Sequence, residues 1–249
     1  MGYQLLGLST DRAVPTGRVR LETPRFYLNI AVYMAALVII GFWPSYFAPL
    51  LHGNAARPWV IHFHSIVFVG WMALLLVQIL LVYRGRIQLH RTLGNIGIAY
   101  GALVFILGVV VAFAAPILHL KNGEWQMDRA AGFVLIALRA IAVFGIFFAG
   151  SVVYKRKPEI HKRLILLATV ALLFAPVGRM IPPQAGALFL VVWLSPILIA
   201  MGRDVVAGDG VHSTFIIGLA VLLAGFTPVL FSESDGYLKM GRSLLRIFM

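Results

Sequence analysis

Seven histidines and no cysteine decide what redox or metal chemistry this chain can carry. Thiolate ligands, disulfides and thiol catalysis are excluded. Any metal would have to take imidazole, carboxylate or backbone ligands. Two histidines recur in matched surroundings. Residues 83–91 read Tyr-Arg-Gly-Arg-Ile-Gln-Leu-His-Arg, and residues 154–162 read Tyr-Lys-Arg-Lys-Pro-Glu-Ile-His-Lys. His90 and His161 therefore close equivalent basic connections. Two neutral imidazoles on neighbouring elements can ligate haem iron or a divalent metal. Such rings need second-shell partners to orient them, and Gln88 and Glu159 stand two residues before each.

A second pair, His64 and His119, falls at the opposite level of the chain's apolar runs and can meet across a helix pair. His62 cannot share an ion with His64 through an unbroken helix, because two residues turn the helix by about 200°. His64, Trp71 and Gln78 follow at seven-residue spacing and form one stripe. Gln78 is costly to leave in lipid, so the stripe is expected to face a bundle interior. Arg139 lies deep in an apolar run, and ionisable groups there are functional candidates by default. It needs a carboxylate, a phosphate, carbonyls or water. No acid is expected well inside any span, so the partner can be a ligand group such as a haem propionate. Arg179 stands at a similar depth near a span end, where interface anchoring is the simpler role. The plain alternative for every histidine is contact with lipid phosphate or helix capping beside Lys or Arg. His52, Asn54 and His212 read as ordinary loop residues. No nucleophile triad, Gly-rich phosphate loop, zinc-protease helix or clustered histidine box is present, so nothing demands an enzyme with a reaction of its own.

The elements that must position these residues are membrane helices. Of 249 residues, 61% are hydrophobic and only 12% charged, against roughly 45–50% and 25% in soluble domains. Mean hydropathy is +0.92. A crossing takes about 20 apolar residues, and seven runs qualify: 26–50, 59–83, 93–118, 131–154, 164–181, 185–201 and 214–231. The chain is expected to be an all-α integral membrane helical bundle. No period-two alternation suggests a barrel. Pro182 and Pro183 cannot continue a helix and predict a tight hairpin between spans five and six.

Charge sets direction. Arg12, Arg18, Arg20 and Arg25 precede the first span. Arg84, Arg86 and Arg91 fill the second connection, and Lys155, Arg156, Lys157, Lys162 and Arg163 the fourth. By the positive-inside rule the N-terminus is cytoplasmic. The net charge of +12 belongs to these loops; no continuous basic face exists to follow a nucleic-acid backbone. The bilayer is the expected environment. No cleavable leader is evident, and the first run reads as a retained anchor. Three divisions follow: a basic N-terminal segment, 1–25; a bundle, 26–231; and a tail, 232–249. Lys239, Arg242 and Arg246 in the tail dissent from an outside C-terminus. Either a span is miscounted, or the tail is an amphipathic surface helix with Leu238, Leu245 and Phe248 on its apolar side. The matched connections suggest a parallel repeat of two helix pairs forming a four-helix core, 59–181. Convergence of short basic loops is the alternative. Gly94, Gly97 and Gly101 share one side of span three and allow close helix approach.

Residues 62–179 carry His62-Phe-His64, Gly70-Trp71, Gln78, His90-Arg91-Thr-Leu93-Gly94 and His161-Lys162-Arg163-Leu164. On these motifs the chain resembles a group of uncharacterised bacterial multi-pass membrane proteins with a His-Arg-x-Leu-Gly motif. More loosely, it is similar to histidine-bearing membrane proteins of cytochrome oxidase assembly and to di-haem b-type cytochromes. The resemblance implies a bacterial inner-membrane setting and, as partner, a respiratory or other membrane complex. Three functions stay open. The first is a haem b or divalent-metal protein using His64 with His119 and His90 with His161, Arg139 neutralising a propionate. The second is a transporter or lipid-binding protein in which Arg139 and Arg179 hold an anion while Trp71 and Gln78 line the pocket. The third is a non-catalytic subunit or assembly partner.

Overall fold

The structure, a computed structural model, describes residues 18–53, 58–208 and 210–249, with side chains from residue 24 onward. Residues 1–17 of the basic N-terminal segment, with Arg12, and Asn54 and Arg57 of the first connection, lie outside the described residues, as do the side chains of Arg18 and Arg20.

Seven helices are long and apolar enough to cross a membrane, and no strand occurs among the described residues. The chain is a multi-pass membrane protein. The crossings are α1 (Arg18–Phe42), α2 (Trp59–Tyr83), α3 (Ile87–Lys121), α4 (Met127–Val153), α5 (Pro158–Met180), α6 (Ala187–Val206) and α7 (Ser213–Leu230). A π-turn at Trp43–Phe47 and a short helix at Ala48–Leu51 prolong α1. An eighth helix, α8 (Asp235–Arg246), follows.

Local chemistry sets the boundaries. Pro158 opens α5, where a missing N–H costs nothing, and Glu159 meets the positive end of the helix dipole. The Pro182–Pro183 hairpin is present: a 3-10 turn at Pro183–Ala185 leads into Gly186 at φ +60°, a left-handed value suited to glycine. His212 caps α7, its Nδ1 accepting from the Thr214 N–H at 3.2 Å.

Several helices outrun their expected bounds, with consequences. α3 has 35 residues, roughly 52 Å at 1.5 Å per residue, against a hydrocarbon core of about 30 Å. Its extra turns take in His90, and α5 likewise takes in His161. Both histidines are thus helical and close to a helix end: each is the fourth residue of its helix. α6 runs on to Val206 and brings Asp204 inside, buried at 4% exposure. Asp204 stands in the last turn of α6, beyond the expected bound of that span, because the helix continues past the apolar run.

Helices α1 to α5 close a ring: α1 on α2, α2 on α3, α3 on α4, α4 on α5, and α5 back on α1. α6 and α7 pack outside it against α5, and α7 also against α4. α5 is accordingly the most buried crossing. Close approaches need glycine: a side chain at Gly101 would meet the Phe148 ring, and one at Gly41 the Pro176 backbone.

The α2–α3 and α4–α5 connections lie at one end of the bundle, the basic end. α8 lies at the other and packs on α4. Its Leu245 is fully buried with Ala130, Ala131 and Val134, Leu238 packs beside them, and Gly241 lies against the Ala131 carbonyl. Phe248 meets Phe113 at 4.5 Å between ring centroids. Of the two explanations for the basic tail, the amphipathic helix is the one observed. Two of its cations are paired, Arg242 with Asp128 and Asp235, and Lys239 with Asp235. Lys239, with Arg242 beyond it, holds the exposed Asp235 carboxyl below its usual range.

Candidate functional site

Inside the five-helix ring, at its basic end, lies a cavity of about 1350 Å³. Ordinary small-ligand clefts run to roughly 300–1,000 Å³, so this one admits a large ligand. His90, His161, Trp71 and Gln78 all line it. The two matched connections therefore bring their histidines to one space, and two of the three stripe residues of α2 face it.

The deep part is apolar. Met34, Trp71, Leu75 and Phe148 form it, with Trp71 edge-on to Phe148 at 5.7 Å. The Trp71 indole N–H donates to the Thr169 hydroxyl at 3.3 Å and ties α2 to α5. The mouth is basic. Arg91, Lys155, Arg156 and Lys162 line it against one carboxylate, Glu159. Glu159 is itself engaged, accepting from Lys162 at 2.7 Å and Arg163 at 2.6 Å.

Each cavity histidine has one ring nitrogen bound by the protein. His161 Nδ1 donates to the Ser151 carbonyl at 2.8 Å. With the Gln78 amide turned to the orientation that satisfies both neighbours, its oxygen accepts from the Gly94 N–H at 3.0 Å and its nitrogen donates to His90 Nδ1 at 2.6 Å. The groups that hold the two rings are therefore Gln78 and Ser151, not Gln88 and Glu159. Gln88 uses its backbone carbonyl to accept from Thr92, and Glu159 faces Lys162 and Arg163. A helix directs side chains two residues apart to different sides, so nearness in sequence misled here.

Below the mouth, Arg163 Nη2 donates to both carboxylate oxygens of Asp204, at 3.0 and 2.9 Å, in a buried pair. Arg163 also reaches the Glu159 carboxylate, so a charged chain runs from the cavity mouth into α6. Neither partner is a cavity residue. Their role is to fix α5 against α6, and the neighbouring α5 turn carries His161.

Arg139 lies elsewhere. Its guanidinium donates to the Gly225 carbonyl and covers the Phe174 ring at 4.4 Å, while Nε and Nη2 are buried without a partner. Ala140, Val143, Ala171, Trp193 and Leu222 surround it with no space for a water-sized guest, and the place is separate from the histidine cavity. Tyr237 of α8 lies within reach: burial pushes its phenol up, and the Arg139 charge pulls against that. Arg179 is exposed, donates to the Ala175 carbonyl at 3.1 Å and covers Phe42 at 4.5 Å.

The far-end histidines keep different company. His119 is stacked on Trp125 at 4.2 Å and bonded to Glu124. His64 lies against Phe68 at 4.1 Å with its Nδ1 buried and unbonded. No hydrogen bond joins His64 to His119. His62 bonds the Tyr46 hydroxyl at 3.0 Å. Among the described residues no group of three or more His, Asp or Glu is disposed to hold a metal ion.

Sequence reasoning missed the basic mouth as part of the site, Ser151 and Asp204. The mouth was legible as charge but was read only as topology. Ser151 acts through its backbone carbonyl, for which no side-chain signal exists. No family model, curated protein or solved structure matches the chain.

Proposed function

We propose that the chain is a haem-binding protein of the bacterial inner membrane, serving electron transfer or respiratory-complex assembly rather than a reaction of its own. The observation that carries this reading is that His90 and His161 line one cavity with an apolar floor and a basic mouth. Haem is an apolar disc with two anionic propionates, and the cavity has the matching order of surfaces. His161 donates its Nδ1–H to the Ser151 carbonyl, the kind of bond that orients a ligating ring, and His90 is held in place by Gln78. Haem iron takes one or two axial protein ligands, so two histidines suffice, whereas a metal held by protein alone would need more. Arg91, Lys155, Arg156 and Lys162 take the propionate role first considered for Arg139. Bound haem would supply one-electron chemistry. The basic connections favour a cytoplasmic position for the cavity mouth and the N-terminus.

The test is a titration of the purified chain in mild detergent with Fe(III) protoporphyrin. Saturable uptake near one per chain supports the reading, and its loss in a His90→Ala, His161→Ala double variant locates the site. Uptake unchanged in that variant would refute it.

A second reading rests on the same mouth: an apolar floor below four cations also suits a phosphate on a hydrocarbon chain. It replaces Arg139 and Arg179 as the anion grip and keeps Trp71 and Gln78 as lining. Copurified phospholipid that is displaced by neither haem nor the double histidine variant, but is lost in Arg91→Glu, Arg156→Glu, would favour it.

A further inference from the structure

The two cavity histidines are equivalent in sequence position but not in hydrogen bonding, and the difference fixes which nitrogen carries each proton. At His161 the partner is the Ser151 carbonyl at 2.8 Å. A carbonyl only accepts, so Nδ1 carries the proton and Nε2 keeps a free lone pair. At His90 the partner is the Gln78 amide, whose orientation is set by a third group. The Gly94 backbone N–H can only donate, so the amide oxygen faces it, at 3.0 Å. The amide nitrogen then faces His90 Nδ1 at 2.6 Å and the His90 carbonyl at 3.2 Å. An amide NH₂ only donates, so His90 Nδ1 accepts. A neutral imidazole has one proton, and at His90 it must sit on Nε2.

We infer that His161 is the iron ligand and His90 is a hydrogen-bond donor to the bound group, with Gln78 as the positioning residue that makes them differ. The inference rests on the haem reading above. Iron needs a nitrogen lone pair, and His161 offers one at Nε2 as it stands. At His90 the proton would have to move to Nδ1 and the Gln78 amide to turn over. That would set two donors, the amide nitrogen and the Gly94 N–H, against each other. The matched connections therefore give one ligand and one donor rather than two ligands, and the chain departs here from a two-histidine cytochrome arrangement.

The decisive substitution is Gln78→Glu. A carboxylate accepts from both the Gly94 N–H and His90 Nδ1–H, so it moves the His90 proton to Nδ1 and frees Nε2 as a second ligand.

The experiment has two parts on the full chain in detergent micelles. Nitrogen-15 histidine spectra without haem, in mildly alkaline buffer, report the tautomers, with His90→Gln and His161→Gln giving the assignments. The expected result is Nε2–H at His90 and Nδ1–H at His161. An Nδ1–H signal at His90 overturns the inference without needing any variant at Gln78 to fold. The second part is absorption and paramagnetic resonance after adding Fe(III) protoporphyrin. The wild type should show a high-spin, one-histidine spectrum. His161→Gln should lose it, His90→Gln should keep it, and Gln78→Glu should turn it low-spin. A low-spin two-histidine wild type overturns the assignment of roles while leaving the haem reading intact. No haem uptake by the wild type overturns that reading, and the ligand role with it, whatever the tautomers.

Discussion

His90 and His161 occupy the same position in two different helices, the fourth residue of α3 and of α5, and both face the cavity between them. Each backbone N–H bonds the carbonyl just before its helix, Arg86 for His90 at 3.0 Å and Lys157 for His161 at 2.9 Å. The equivalence is thus one of backbone register as well as of residue type. It gives the site its shape, and four consequences can be measured.

The Arg163–Asp204 pair should be the costliest polar interaction to break. Both groups are buried, and removing Asp204 leaves Arg163 with Glu159 alone. Asp204→Ala should destabilise the fold by about 1–3 kcal/mol, read by thermal unfolding in detergent. Replacing both residues with apolar ones should cost less than the sum of the single changes.

Gly101 faces the Phe148 ring. Gly101→Ala should cost about 1–3 kcal/mol through overpacking. Because Phe148 lines the cavity, the variant should also weaken ligand uptake. Adding Phe148→Ala should relieve the clash, so the double change should cost less than the sum of the two single changes in the same unfolding assay.

The α8 helix docks through Gly241 against Ala131 and through the ion pairs of Arg242 and Asp235. Gly241→Leu should release it, making residues 232–249 sensitive to protease while the bundle stays folded. Acid should act in the same direction. The Asp235 carboxyl lies below its ordinary value of 3.8. Its contribution is therefore present above that value and is lost as pH falls through the folded one.

Arg139 and the mouth cations should separate cleanly. Arg139→Met should leave ligand binding unchanged, since Arg139 lies outside the cavity. Lys155→Glu, Arg156→Glu should weaken binding of an anionic ligand and reduce its dependence on salt, read by titration at two ionic strengths.

The crossings, the Pro-Pro hairpin and the amphipathic tail were legible in sequence because apolar length, proline and spacing act locally. Bounds were not: α3, α5 and α6 continue into polar residues, as helices do once packing supports them. That is how His90, His161 and Asp204 came to be helical. The meeting of His90 with His161 could be anticipated from the matched connections. The pairing of His64 with His119 could not be judged, because it depended on which faces α2 and α3 turn to each other. Arg139 announced itself as a buried cation, but sequence could not show that a helix carbonyl and an aromatic face would take it.

The central claim is most directly tested by the absorption spectrum and haem content of the chain purified from a bacterial membrane supplied with haem. The account predicts near-stoichiometric haem with a reduced-minus-oxidised difference spectrum, retained in Arg139→Met and lost in His161→Ala. A folded protein carrying no haem, or carrying it undiminished in the His90→Ala, His161→Ala double variant, would contradict it.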